Sequence, residues 1–308
     1  MDGQTVGWVD ERHRAWLERR FGSGAREWIT GLGDLVAELC RRWNLHIDGS
    51  APPGRTSVVL RCHRDDGTPC MLKISPDAGL VTAEARTLEL WRDTGRVPAV
   101  LELDEHTGAA LLEGIEPGHT IRSTGVLPHL ERVAQLLTEL HAVSVPPQQW
   151  QELSPLHSLV NYFFEQWEWR CAEGAAAEVV SVSLLHTGRA RARDLTAETD
   201  GAVPLHGDLH PGNVLEGGTE RGLVAIDPRG CAGEPAFDAV DWALWRAESL
   251  REVNERVAVL AAAIGRSEER LHEACRAMAP IAAAARLNNE GDVVSRAEVE
   301  TLLTLAEA

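Results

Sequence analysis

At 308 residues the chain is long enough for two lobes or one large domain with a full core. A net charge of −17 argues against nucleic acid, whose phosphates it would repel, and suits a cationic partner as well as plain acidic solubility. Hydrophobic residues make up 44% of the chain, yet no apolar run is long enough to span a bilayer, so no membrane partner is expected.

The opening Met1-Asp2-Gly3-Gln4 lacks the basic-then-apolar pattern of a secretory leader, and a cytoplasmic protein is expected. Residues 1 to about 45 carry Trp8, Trp16, Trp28, Leu32, Leu35, Val36 and Leu39 at roughly helical spacing, interrupted near Gly22-Ser23-Gly24. These Trp residues read as core or bracing residues. The six cysteines, Cys40, Cys62, Cys70, Cys171, Cys231 and Cys275, have no zinc-like spacing and read as reduced, mostly buried thiols.

Beyond residue 45 the pattern becomes that of a sheet. Leu45–Gly49 is a first strand and Ala51–Thr56 a loop. Ser57–Cys62 is a second strand, Asp65-Asp66-Gly67-Thr68 a hairpin turn, and Pro69–Ile74 a third strand. Lys73 lies between Leu72 and Ile74, where an unpaired charge would be costly. A helix follows from about Val81 to Trp91. Its Glu84 is the first candidate to pair with Lys73, and Glu89 the second. The loop at 50–56 has one glycine, Gly54, and two prolines, so contacts to phosphate there would rest on backbone amides and on Ser50, Thr56 or Ser57. Residues 99–103 and 109–113 form a hairpin, and Glu113-Gly114-Ile115 reads as a linker.

From Leu127 the period is helical. Leu130, Val133, Leu136, Leu137 and Leu140 mark one helix up to His141, with Pro146-Pro147 after its end. Leu159–Cys171 is a second helix and Ala175 to about Arg193 a third. The C-terminal part is helical over Asp238–Glu248, Val253–Ile264 and from Ser267 onward. Pro280 is expected to kink or split that last helix, and Ser295-Arg296-Ala297-Glu298 reads as a capping box.

Between these helical stretches lies Leu205-His206-Gly207-Asp208-Leu209-His210-Pro211-Gly212-Asn213-Val214-Leu215. Asp208 and Asn213 are five positions apart in a short loop closed by Pro211 and Gly212. Leu223–Ile226 is a buried strand that delivers a second acid, Asp227, into Pro228. One carboxylate to orient a hydroxyl, with an amide and a carboxylate for Mg²⁺, is the set that phosphoryl transfer from ATP needs. His206 and His210 could form a zinc pair only on a helix, which Pro211-Gly212 opposes.

The loop, together with Ala225-Ile226-Asp227-Pro228-Arg229 and Gly233-Glu234-Pro235-Ala236-Phe237-Asp238, resembles the aminoglycoside phosphotransferase family, in the branch that contains streptomycin 6-kinases and hydroxyurea phosphotransferases. The resemblance implies an α+β, two-lobed protein-kinase-like fold: an N-terminal antiparallel β-sheet lobe over residues 1–115, with a helical extension at 1–44, and a mostly helical C-terminal lobe over 116–308. It implies ATP and Mg²⁺ as cofactors and O-phosphorylation of a small cationic antibiotic, with streptomycin or a related aminoglycoside as the first expectation. Hydroxyurea, a viomycin-type peptide antibiotic or a metabolite are alternative acceptors, and a nucleotide-binding pseudokinase is the rival of another class. In this reading Asp208 is catalytic, and Asn213 and Asp227 hold metal. Lys73 and Glu84 serve the phosphates, and the backbone at Glu113 and Ile115 meets the adenine edge. Asp238 receives loop amides, while Glu234 and Asp241 face the substrate. A monomer is expected.

Overall fold

The structure is a computed structural model that describes residues 7–52, 54–171, 175–197, 200–288 and 294–308. The tetrapeptide read for a leader lies outside the described residues. The chain divides into two compact units, Met1–Gly118 with Glu216–Gly218, and His119–Leu215 with Thr219–Ala308. The division falls at Gly118 rather than at residue 115, and a short distant segment joins the first unit.

In the first unit α1 (Glu11–Phe21) and α2 (Gly24–Trp43) precede β1 (Leu45–Ser50), β2 (Val58–Arg64), β3 (Pro69–Ile74), α3 (Ala78–Leu90), β4 (Val100–Asp104) and β5 (Ala109–Glu113). Asp10 caps α1 by accepting the His13 N–H at 2.7 Å, and Gly22, at φ 73°, ends it. The buried face of α2 consists of Ala25, Ile29, Leu32, Val36 and Leu39, the stripe its sequence period requires. The sheet is antiparallel throughout, in the order β1-β2-β3-β5-β4. Leu32 and Leu39 share one core with Leu60, Leu72 and Leu111. Strand β3 is central, paired on both edges, and Lys73 is buried together with its neighbours Leu72 and Ile74. Helix α3 starts earlier than the apolar period suggests, because Asp77 accepts the Gly79 N–H at 3.0 Å.

The second unit contains α4 (Ile121–Thr124), α5 (Leu130–His141), α6 (Pro147–Glu152), β6 (Ser154–Pro155), α7 (Leu156–Arg170), α8 (Val182–Thr196), β7 (Val203–Leu205), β8 (Val214–Glu216), α9 (Gly218–Arg221), β9 (Leu223–Ala225), β10 (Cys231–Gly233), α10 (Ala236–Leu244), α11 (Leu250–Ala263), α12 (Glu268–Asn288) and α13 (Arg296–Glu307). Glu216, the last residue of β8, and Gly218, the first of α9, belong to the first unit. The strands form two small sheets, β6-β10-β7 and β8-β9.

Three expectations are corrected here. Helix α8 begins at Val182, where Ser181 accepts the Leu184 N–H at 3.1 Å, and not at Ala175. Helix α12 runs through Pro280 without splitting. Pro280 is buried, and an added Cβ at Gly188 of α8 would stand 2.5 Å from the Ala277 carbonyl oxygen and 3.1 Å from Pro280 Cγ. Such close packing offsets the hydrogen bond that proline removes. The capping box forms only in half: Ser295 Oγ accepts the Glu298 N–H at 3.0 Å, but the Glu298 carboxylate turns to Arg286 Nε, at 2.9 Å, and to the Arg246 N–H, at 2.9 Å. A buried guanidinium is a stronger partner than a backbone amide at a helix end.

Candidate active site

Local constraints hold the loop at 206–213 from several sides. Asp238, at the start of α10, accepts the N–H groups of His206 and Gly207 at 2.9 Å each, and lies 3.1 Å from His141 Nε2 at the end of α5. Burial opposes ionisation of Asp238, but His141, His206 and the Gly207 amide outweigh it and hold its pKa below the ordinary aspartate value. The imidazole of His206 is fully enclosed. It donates from Nε2 to the Ile226 carbonyl at 2.9 Å and accepts the Asp208 N–H on Nδ1 at 3.3 Å. Burial pushes its pKa down, so it stays neutral, as this donor–acceptor pattern requires. Gly207 has φ 80°, and a Cβ there would lie 2.8 Å from Leu159 Cδ2, so no other residue fits without a shift. The His206 carbonyl in turn accepts the N–H groups of Arg229, at 2.8 Å, and Gly230, at 3.2 Å. The segment after β9 that carries Asp227 is thereby tied to the loop that carries Asp208.

The carboxylate of Asp208 is half-buried, with His210 Nε2 3.9 Å from one oxygen and Arg229 Nε 3.7 Å from the other. His210 is oriented by accepting the Gly212 N–H on Nδ1 at 3.0 Å. It is a loop-bracing residue here, and no group of three or more His, Cys, Asp or Glu that could hold a metal occurs among the described residues. Asn213 donates from Nδ2 to the Asp208 carbonyl at 3.0 Å, and its own carbonyl accepts the Ile226 N–H at 2.9 Å. With Nδ2 committed, Asn213 Oδ1 is left without a hydrogen-bond partner among the described residues. Asp227 has φ 58°, a left-handed conformation that aspartate tolerates and that marks functional sites. A neutral oxygen and a charged one form a hard, all-oxygen donor pair. It fits Mg²⁺, which keeps most of its ligands as water and phosphate.

In the first unit Lys73 Nζ donates to Glu84 Oε2 at 2.5 Å, with the two side chains 7% and 12% exposed, so the charge on the central strand is neutralised across to α3. Glu89 pairs instead with exposed Arg92 at 3.0 Å. Glu113 ends β5. Its N–H donates to the Ala99 carbonyl at 2.9 Å, and its carboxylate accepts the Ala99 N–H at 3.0 Å. Half-buried Ile115 follows Gly114, whose N–H reaches the Pro69 carbonyl at 3.1 Å.

Residues 42–291 match the model of the aminoglycoside/hydroxyurea antibiotic resistance kinase family. The chain belongs to this family. The kinase is 34% identical to a streptomycin 6-kinase of Streptomyces glaucescens over 75% of this chain and 72% of that one. It is 33% identical to a hydroxyurea phosphotransferase of Kitasatospora aureofaciens over 83% and 78%. Among solved structures it resembles a choline kinase of Streptococcus pneumoniae, with a TM-score of 0.60 at 14% identity over 90% of this chain and 98% of that one. A type I macrolide 2'-phosphotransferase gives a TM-score of 0.55 at 20% identity over 90% and 97%. At such low identity these structures establish the fold alone, and it is the expected protein-kinase-like one. The matched span leaves α1 and nearly all of α2 of the kinase outside it.

The acids assigned to the substrate separate. Glu234 is 6% exposed, and its two oxygens meet Arg266 Nε at 2.9 Å and Arg270 Nε at 3.0 Å. That carboxylate joins β10 to the start of α12 and, contrary to the expectation, is spent on the fold rather than offered to a substrate. Asp241 lies one helical turn beyond Asp238, half-buried, with no hydrogen-bond or ion-pair partner for its carboxylate among the described residues. Sequence reasoning missed the approach of Arg229 and His210 to Asp208. The one sequence signal for it was the basic residue directly after Asp227-Pro228. His141 was read only as a helix end, because nothing in the sequence links it to Asp238 97 positions away.

Proposed function

We propose that this kinase transfers the γ-phosphoryl group of ATP to a hydroxyl of streptomycin or a related aminoglycoside and so inactivates the drug. The observation that carries the reading is the braced loop that presents Asp208 and Asn213, with Asp227 following Ile226, whose N–H bonds the Asn213 carbonyl. The substrate hydroxyl oxygen forms a bond to Pγ as the bond from Pγ to the ADP oxygen breaks, and the hydroxyl proton passes to the Asp208 carboxylate. Orientation of the hydroxyl is the larger contribution of Asp208, because little proton transfer is needed early in a loose transition state. Mg²⁺ held by Asn213 and Asp227 would neutralise charge on the phosphates. Lys73, held by Glu84, would pair with the α- and β-phosphates, and backbone groups at Glu113 and Ile115 would bond the adenine edge.

Support for a cationic acceptor comes from Asp241, a half-buried carboxylate with no hydrogen-bond or ion-pair partner among the described residues, on an acidic chain. The greater span shared with the hydroxyurea phosphotransferase favours a second reading, in which neutral hydroxyurea is the acceptor. Incubation with MgATP and a panel of streptomycin, other aminoglycosides and hydroxyurea, read by mass spectrometry, tests both. Streptomycin should gain one phosphate, and Asp241→Asn should raise the drug KM about 10-fold, equivalent to about 1.4 kcal/mol, at unchanged KM for ATP. Phosphorylation of hydroxyurea alone transfers the assignment to the second reading, and phosphorylation of nothing in the panel removes both.

A further inference from the structure

Helix α1 lies outside the span matched by the family and has no part in the reaction described above, yet it grips the loop between β1 and β2. His13, 2% exposed, stands with Nε2 3.2 Å from the carbonyl oxygen of Ser57, itself 4% exposed. Burial pushes the His13 pKa down, so the ring is neutral and donates Nε2–H to that carbonyl. One turn of α1 further along, Trp16 lies under the guanidinium of Arg55, 5.6 Å from the ring centroid, and under that of Arg12 at 4.7 Å. From the other side Ser75, just after β3, donates its hydroxyl to the Thr56 carbonyl at 2.7 Å. Three consecutive residues, 55–57, are thus fixed by contacts outside the loop.

The peptide plane turns this grip into a chemical property. In a trans peptide the N–H points opposite to the C=O. Fixing the Thr56 carbonyl on Ser75 therefore fixes the direction of the Ser57 N–H, and fixing the Ser57 carbonyl on His13 locks the next peptide into the β2 ladder. The N–H groups of Thr56 and Ser57 have no hydrogen-bond partner among the described residues. Backbone N–H groups almost always find one when enclosed, and successive unpaired amides are an anion-binding device.

We propose that α1 is a positioning element for the nucleotide: through His13 and Trp16 it holds residues 55–57 so that the Thr56 and Ser57 amides are ready for a phosphate oxygen of ATP. This rests on the nucleotide role assigned above to the first unit. His13 and Trp16 act through the loop and touch no substrate themselves.

Calorimetric titration of the full chain with MgATP, without an acceptor, tests it. His13→Leu keeps the volume and removes the donor, and should weaken MgATP binding about tenfold. His13→Gln restores an N–H near the Nε2 position and should bind as the parent does. Trp16→Leu keeps an apolar side chain, removes the seat of Arg55 and should weaken binding roughly threefold; it decides the question if His13→Leu does not fold. Lys73→Met serves as the reference for the nucleotide reading. If Lys73→Met loses affinity while folded His13→Leu and Trp16→Leu keep it, α1 is only a core helix and the proposal is overturned. The same holds if His13→Gln is as impaired as His13→Leu. If Lys73→Met binds as the parent does, the nucleotide reading fails and the proposal falls with it.

Discussion

Asp208 and Asp238 are two carboxylates on one loop system, and their surroundings give them different work. Asp208 is half-buried, with Arg229 and His210 at 3.7 and 3.9 Å, beyond hydrogen-bond distance, so its oxygens are not committed to these two groups. Asp208→Asn should lower kcat by about 10²–10⁴-fold while leaving MgATP affinity and stability nearly unchanged, which steady-state kinetics, calorimetry and thermal melts check together. Asp227→Ala should abolish Mg²⁺-dependent nucleotide binding and Asn213→Ala should reduce it less, because a charged ligand is lost in one case and a neutral one in the other. Asp238 is 2% exposed and accepts two loop amides, so Asp238→Asn should lower stability and activity together. The folded-state pKa of Asp238 is lowered, so its stabilisation is fully present above the unfolded-state value and is lost as pH falls through the folded-state one. Acid titration of the melting temperature should show this loss in the parent and a smaller one in Asp238→Asn.

The helices of the second unit depend on a few close approaches. Gly188 lets α8 meet α12 beside Pro280, where an added methyl group would stand 2.5 Å from the Ala277 carbonyl. Gly188→Ala should therefore destabilise by about 1–3 kcal/mol in denaturant unfolding, although alanine is the better helix former. At the end of the chain α13 is held by Glu298, 2% exposed, which meets Arg286 of α12 and the Arg246 N–H. Glu298→Ala strands a buried guanidinium and should cost about 3–5 kcal/mol, against about 1 kcal/mol for loss of the Ser295 cap in Ser295→Ala.

Across the whole molecule the charge of −17 makes association with a cationic drug sensitive to ionic strength. Raising salt should increase the KM for an aminoglycoside far more than that for hydroxyurea, because exposed charges are screened over about 8–10 Å near physiological ionic strength. A salt-independent KM for the drug would reduce the acidic surface to a solubility feature. Nucleotide binding should also stabilise the folded chain by about 2.7 kcal/mol at a ligand concentration near 100 times its Kd, a gain that Asp227→Ala should lose in thermal melts with MgATP.

The sequence by itself determined the elements whose signals are local. The helical stripe of α2, the Asp65–Thr68 hairpin, the three strands leading to Lys73, and the run of α5 all follow from periodicity and turn chemistry within about ten residues. The loop at 205–215 was legible for the same reason, since its acid, amide, proline and glycine are contiguous. The tertiary structure alone decided which charges are spent on the fold. Glu84 and Glu89 lie on the same helix, and only packing gives Lys73 to Glu84. Glu234 and Asp241 are both acids near the start of α10. Arginines more than 25 positions away occupy Glu234, while the Asp241 carboxylate has no such partner among the described residues. Glu298 had the spacing of a capping box, yet a buried arginine from the preceding helix took its carboxylate. Electrostatic partners are chosen by distance in space and by the cost of leaving a buried charge alone, and neither is encoded in the spacing along the chain.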